Sequence, residues 1–480
     1  MVYNVRNALY YTESIIRRNS LHIKCIFLKG KERIREGDLN IVSFKRLHGV
    51  HVPHRKHTAE LAPVRVPVPA SITVPTSMNI GRAATPVVKP GDHVTVGQLI
   101  AAAESPMASP IYSGVSGTVK KLGEQLLFHG ALCQTITIES DGEQTVCPDL
   151  APPEVTDFDT FIAAVRASGV VGLGGAGFPT AVKLNADPAR VEFLCINGAE
   201  CEPYITADTR TMLDDAPLLG EGFRLLHRFY PAAKILIGIE KNKPACIEAL
   251  RRETAALDYA EVCPLPSLYP QGGEKVLVYT TTGRVVPEGK LPLDVGCIVL
   301  NATTLAVLTR YIRTGFPLVE KCVTVDGSAV AEPKNIIVPI GTSLRDVLEA
   351  AGGLKCEPKK VIMGGPMMGV AVPDLEQPVV KNTGAVLAFA EADAALPEPT
   401  ACIRCGRCID ACPLKLMPVE LESAYARRDA DALKALKVTL CMECGCCAFV
   451  CPARRRLVES HKLAKVFLNA KLREEKEAAK

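Results

Sequence analysis

Residues 402–413 read CIRCGRCIDACP and residues 441–452 read CMECGCCAFVCP. Each contains Cys-x2-Cys-x2-Cys-x3-Cys-Pro, the run by which a short loop curls around a [4Fe–4S] cube and reaches three of its irons with successive thiolates. The fourth cysteine of each run, expected at the start of the following helix, reaches the other cube. By that crossing rule Cys402, Cys405, Cys408 and Cys451 hold one cluster, while Cys441, Cys444, Cys447 and Cys412 hold the second. Pro413 and Pro452 end each turn by removing a backbone donor. Cys446 matches no ligand register and is left over. Structural zinc also uses Cys-x2-Cys pairs, but it needs only four ligands and usually takes them as two well-separated pairs. Eight thiols in two tight quartets, each closed by Cys-Pro, favour iron–sulfur. The intervening MPVELESAYARRDADALKALK, 417–437, predicts an α-helical spacer.

The rest of the composition agrees with a redox protein in a reducing compartment. The chain has 480 residues, too many for one hydrophobic core, so about three domains are expected. Of its 19 cysteines, nine fall between 402 and 451. An odd count in a large chain whose opening residues, MVYNVRNALYYTESIIRRNS, lack a secretory signal argues for thiolate–metal ligation over a disulfide scaffold. Charged residues make up 22%, the net charge is +4 and Trp is absent, which gives nucleic-acid binding no support. The longest uncharged runs, such as 297–309, are shorter than the roughly 18–20 apolar residues that span a bilayer, so no membrane crossing is expected.

Four textures precede the cysteine block. Residues 1–43 read as a leader of weak periodicity with a basic cluster at Lys29–Arg35. From 44 to 140 short apolar segments alternate with Pro-Gly and Ser-Gly turns, predicting a small β domain. The pair VKPGDHVTVGQLIA (88–101) and SPIYSGVSGTVKKL (109–122) resembles the two halves of a biotinyl/lipoyl-type barrel-sandwich, without the lysine turn that would carry a swinging cofactor. After a Pro-rich linker at 148–159, residues 157–316 alternate helix and strand patterns, predicting a Rossmann-like α/β layer with parallel pairing and ligands at the carboxyl ends of the strands. Residues 317–375 have a strand–turn–strand–helix–strand order, predicting a β-grasp module. Residues 394–455 form the ferredoxin-type domain, and 456–480 a basic, solvated helical tail.

Within the α/β region GVVGLGGAGFPTAVKL, 169–184, carries glycines at 172, 174, 175 and 177. Glycines let a backbone approach a phosphate or flat ring closely and present N–H groups to it. Standing alone such a loop is equally a flexible turn, and it lacks the Gly-Lys-Ser/Thr ending of a nucleoside-triphosphate loop. Its company is more informative. The strand segment VEFLCINGAECEPY at 191–204 ends in Asn197, Glu200 and Glu202, and YPQGGE (269–274) and NATT (301–304) bring Tyr269, Gly272, Gly273, Glu274, Asn301 and Thr304 to other element ends.

The combination GLGGAGFPTAVKL, NGAECEP, YPQGGE and NATT resembles the flavin subunit of respiratory complex I. With a barrel-sandwich in front, a β-grasp (SLBB-like) module behind and two ferredoxin runs at the end, the layout over about 44–455 resembles the C subunits of Rnf ion-translocating electron transport complexes. Cobalamin reductases of the PduS type, by contrast, begin directly with the glycine-loop domain. The resemblance implies FMN contacts from Gly172, Gly174, Gly175, Lys183, Asn197, Glu200, Asn301 and Thr304, with Glu202, Phe178, Tyr269 and Glu274 toward NAD(H). It implies an NAD-dependent oxidoreductase (translocase) subunit on the cytoplasmic face of the inner membrane. Its partners would be integral membrane subunits and an iron–sulfur subunit, with ferredoxin reached indirectly. The complex I loop carries an Arg between its glycines where this chain has Leu173, which leaves open a relay module without flavin. His48, His51, His54 and His57 recur every three residues, but Pro53 breaks the helix that would align them, so a structural role is expected. Met363, Met367 and Met368 are expected to pack a turn.

Overall fold

The computed structural model describes residues 47–478; the leader and its basic cluster lie outside them. Between residues 71 and 140 the alternating segments pair as two small sheets. Ser71–Pro75, Leu132–Ser140, Gly117–Leu126 and His93–Val94 form an antiparallel sheet in that order, and Thr85–Pro86, Leu99–Ala102 and Ile111–Tyr112 form the second. Alternation along the strands turns Ile72, Val74, Val119, Ile136 and Ile138 inward. A bulge between Val119 and Lys121 bends the longest strand, as sandwich corners require.

The α/β unit holds four parallel strands in the order Ala260–Leu265, Lys234–Glu240, Phe193–Gly198, Cys297–Asn301. The strand order therefore reverses beside Phe193–Gly198. At such a switch point the connections leave in opposite directions and open a crevice at the carboxyl edge. Asn197 and Asn301, directly paired in register, stand at that edge. Each predicted helix forms, and two that the sequence pattern does not announce, Thr180–Leu184 and Ala207–Asp214, flank the crevice.

The third sheet is larger than a module ending at 375. Its six strands run Val64–Arg65, Lys334–Pro339, Glu320–Asp326, Ala385–Phe389, Lys360–Met363, Val370–Ala371. The fully buried AVLAF strand beyond 375 pairs parallel to Glu320–Asp326, and a two-residue strand arrives from the N-terminal region. The units are also not beads on a string. One apolar core joins Ile72 and Ile136 to Val323 and Val338, and takes in Val170, Val171 and Leu173 of the glycine loop. A buried ammonium pins the same junction: Lys381 Nζ donates to Ser109 Oγ (3.0 Å), the Pro110 carbonyl (2.6 Å) and the Gly169 carbonyl (2.8 Å). Burial pulls its pKa down to about 7.

In the cysteine domain the spacer forms two helices, Pro418–Ala426 and Ala430–Ala435, as expected. The final helix, Leu457–Ala478, corrects the reading of a solvated tail. Leu457, His461, Ala464 and Leu468 are buried, and Ala464 and Leu468 share a core with Leu421, Ala424, Leu433 and Val438. Its other face, with Val466 68% exposed, is the solvated one. Among the described residues no helix is long and apolar enough to cross a membrane.

Leu468→Ala is expected to destabilise the cysteine domain by about 2–4 kcal/mol, and Val466→Ala by less than about 0.5 kcal/mol. Urea titration followed by loss of the visible cluster absorbance checks the contrast.

Candidate flavin pocket and cluster centre

The glycine loop is shaped by sequence neighbours on one side and the switch-point residues on the other. Gly172 N–H donates to the Phe178 carbonyl at 2.9 Å and closes the loop. Leu173, where the complex I loop that it resembles has Arg, turns into the apolar core at 1% exposure, and its N–H donates to Thr304 Oγ1 at 2.9 Å. The substitution thus anchors the loop instead of deforming it. Gly174 lies against Asn301 so closely that a Cβ there would overlap the amide Nδ2. Gly174, Gly175 and Ala176 are exposed on the crevice side, and a Cβ on Gly175 would meet open space. Gly177 is in the left-handed region at φ +72°, a conformation that favours glycine.

The expected polar residues divide into those that face the crevice and those the fold consumes. Asn301 caps helix Ala302–Thr314 by accepting from Thr304 N–H at 3.0 Å, and donates to Asp208 Oδ2 at 2.6 Å. Asn197 donates to the Gly272 carbonyl at 2.9 Å, tying the YPQGGE loop to the strand end. Lys183 and Glu274, assigned to the flavin and nicotinamide sides, meet as an ion pair at 2.8 Å, and Lys183 also donates to the Val299 carbonyl at 3.0 Å. That ammonium remains part-exposed above the loop, where a phosphate would compete with Glu274.

Glu200 does not offer a free carboxylate to a ligand. It sits at φ +43° and caps helix Ala207–Asp214, accepting from Asp208 N–H at 2.7 Å and Thr209 N–H at 3.3 Å. Half-buried Lys56 braces it, donating to the carbonyls of Glu200 (2.8 Å) and Glu202 (2.9 Å). Burial raises the Glu200 pKa and lowers that of Lys56. Glu202 faces the MGGPMMG turn, where Oε2 accepts from Met367 N–H at 3.0 Å and Oε1 is buried without a partner. Burial pushes its carboxyl up to about 7. Gly365 passes so close to Glu202 that any side chain there would collide with the carboxylate. The turn thus packs against Glu202. Its adjacent glycines were the available signal, and Lys56, inside the histidine segment, had none. The four histidines diverge: His48 contacts the Asp410 carbonyl, His54 Asn242 and His57 Asp326, while His51 is exposed.

The two cysteine runs fold alike. Arg404, Gly406 and Lys415 have positive φ in the first, and Glu443, Gly445 and Arg454, each 39 residues later, in the second. The third cysteine of each run rides a one-turn helix, Arg407–Asp410 or Cys446–Phe449, and the fourth follows that turn rather than opening the next helix. Cys412 joins Cys441, Cys444, Cys446 and Cys447 around one cavity, so the last thiol of the first run stands among those of the second. Cys408 lies within electrostatic reach of Cys451, and Arg455 within reach of both Cys402 and Cys451. Cys446, the spare thiol, is buried with Sγ 3.8 Å from the Tyr269 carbonyl.

The second loop lies directly on the crevice edge. Tyr269 Oη donates to the Cys444 carbonyl at 2.7 Å, while its backbone exchanges hydrogen bonds with Val50 at 2.8 and 3.0 Å. The Met442 methyl fills the space a side chain on Gly273 would need, and Gly445 abuts Met367.

Four family models match in chain order: an RnfC barrel sandwich hybrid domain at 43–143, a Nuo51 FMN-binding domain at 165–310, an SLBB domain at 322–371 and a 4Fe-4S dicluster domain at 395–452. A chain of the air-oxidised NAD+-reducing [NiFe]-hydrogenase is similar in structure at 22% identity and a TM-score of 0.46, covering 64% of this chain and 63% of that one. The C subunit of the Na(+)-translocating ferredoxin:NAD(+) oxidoreductase complex of Acetobacterium woodii is 39% identical over 422 residues, 87% of this chain and 95% of that one. The C subunit of the proton-translocating ferredoxin:NAD(+) oxidoreductase complex of Clostridium ljungdahlii is 38% identical over 375 residues, 77% and 82% of the two chains. With such identity sustained across most of both proteins, the chain belongs to the family of C subunits of Rnf ion-translocating ferredoxin:NAD(+) oxidoreductase complexes.

Proposed function

We propose that this subunit passes electrons between NAD(H) and the rest of its complex through FMN on the 172–177 loop, then the cluster of Cys412, Cys441, Cys444 and Cys447, then that of Cys402, Cys405, Cys408 and Cys451. FMN supplies the conversion between a two-electron hydride donor and one-electron carriers. The chain's own residues do the rest. The exposed backbone at Gly174 and Gly175 gives a flat ring close approach, with Lys183 as phosphate partner and Glu202 and Glu274 toward the nicotinamide. Asn197, Asn301 and Thr304 act mainly by fixing the loops. Tyr269, Met442 and Met367 exclude water between the crevice and the Cys444 loop, which keeps the two redox sites adjacent.

The observation that carries the order is the Tyr269 hydroxyl bonded to the Cys444 carbonyl, which makes the Cys412 quartet the one nearer the crevice. A relay without flavin is not favoured: its support was Leu173, and that side chain holds the loop in shape. A cobalamin reductase is disfavoured by the barrel-sandwich in front. Attachment would be peripheral, on the cytoplasmic face of the membrane, through integral partners that carry the ion.

Two measurements test these assignments. Gly174→Val is expected to abolish most FMN binding, seen as flavin fluorescence released on denaturation, with iron content unchanged. Lys183→Ala should weaken FMN by about ten- to hundredfold, the worth of one charge-assisted bond. In electron paramagnetic resonance of reduced protein, Cys412→Ser and Cys444→Ser should remove the same signal, and Cys402→Ser and Cys451→Ser the other. Pairing of Cys412→Ser with Cys402→Ser instead would refute the crossing.

A further inference from the structure

The glycine loop is gripped by a turn that lies outside the α/β domain, between the SLBB domain and the cysteine domain. Residues 380–383 close on themselves: Thr383 N–H donates to the Val380 carbonyl and Val380 N–H to Thr383 Oγ1, each at 2.9 Å. Val379 and Val380 share the apolar core of Val170, Val171 and Leu173, so turn and loop are rooted together. The two residues at the tip of the turn reach opposite ends of the loop. At its base Lys381 Nζ donates to the Gly169 carbonyl, and Ser109 Oγ, which accepts from the same ammonium, donates to that carbonyl at 3.1 Å. At its exposed crest Asn382 Nδ2 donates to the Gly175 carbonyl at 2.8 Å. A carbonyl only accepts, so the amide nitrogen of Asn382 is the atom that faces it.

We infer that Asn382 is a positioning residue of the flavin site, which holds the Gly175 carbonyl and thereby sets how the Gly175–Ala176 peptide meets FMN. The inference rests on the FMN reading above and adds to it a residue supplied from outside the α/β domain. A trans peptide is planar, with its C=O and N–H directed to opposite sides. Drawing the Gly175 carbonyl to Asn382 therefore turns the Ala176 N–H away from the turn. Nothing local would choose that orientation, because Gly175 has no side chain and a Cβ there would meet open space. Its neighbours are better fixed, Gly174 against Asn301 and Gly177 through its carbonyl, which accepts from Ile80 N–H at 3.1 Å. Without the Asn382 donor, FMN would have to order this one peptide as it binds, and affinity would fall by that cost. Lys381 keeps the base stationary, so the pull on the crest is taken up by the peptide and not by movement of the whole loop.

The test uses the full chain with its clusters, purified anaerobically, stripped of flavin and titrated with FMN while flavin fluorescence is followed. Asn382→Asp has the same shape but, when ionised, cannot donate and sets a carboxylate against a carbonyl; it is expected to raise the FMN Kd at least about tenfold. Asn382→Ala should raise it about three- to tenfold, and Asn382→Gln, which keeps the amide donor, less than about threefold. The resolved shoulder on the visible absorption band of bound flavin should blur in the Asp variant and be retained in the Gln variant. Iron content and Tm should be unchanged, because Asn382 is only half-buried. Gln125 is the matched control, since its amide donates to the Glu376 carbonyl at 3.0 Å, between the sandwich and the third sheet but away from the loop. Gln125→Glu should alter Kd by less than about twofold. The inference is overturned if Asn382→Asp binds FMN as tightly as wild type, if Asn382→Gln is as weak as Asn382→Asp, or if Gln125→Glu weakens FMN equally. It is also overturned if affinity falls only together with iron content and Tm, which would make the residue merely structural. Wild-type protein that carries its clusters and binds no FMN would overturn the underlying reading instead, and is recognised before any variant is compared.

Discussion

Tyr269 is the point at which two chemically different halves of this protein become one device. Its hydroxyl holds the backbone of a cysteine loop, and its main chain is clamped to Val50. The YPQGGE segment it opens is tied to the central strand through Asn197. A two-electron site and a one-electron site are useful to each other only when close and dry. A buried tyrosine with its one polar atom satisfied meets both demands, because the ring excludes water and the hydrogen bond fixes the distance.

The glycine loop is held in a comparable way, by surroundings rather than by its own sequence. Its first residues belong to the apolar core shared by the sandwich and the third sheet, and its entry at Gly169 is fastened by the Lys381 ammonium. A loop with so few side chains would otherwise lose much conformational entropy on ordering. The shared core supplies the opposing stabilisation and lets the exposed stretch 174–176 stay bare for a ligand.

The sequence was most legible where chemistry demands fixed spacing. Both cysteine runs, the parallel layer and the carboxyl-edge site follow from local pattern, and the structure brings Cys412 to the second run's thiols. What the pattern could not convey was long-range use of a residue. Glu200 reads as a free acid at a strand end, yet its carboxylate caps the next helix. Lys56 sits in a histidine-rich stretch and is committed to carbonyls about 145 residues away. The strand at 385–389 is apolar throughout, so periodicity alone could not separate it from a linker into the cysteine block. The last helix has a buried stripe too sparse, among its lysines and glutamates, to stand out from a solvated one.

The matched left-handed positions in the two cysteine runs show a repeated unit, but the repeat is not modular. Under the proposed crossing each copy would lend its last thiol to its twin, and neither half would have a full coordination sphere by itself. A lineage that duplicated such a loop could not afterwards shed one copy and keep a working remnant. Mutual reliance of this kind would preserve paired cubanes as a set, and would make the two stations inherit each other's fate.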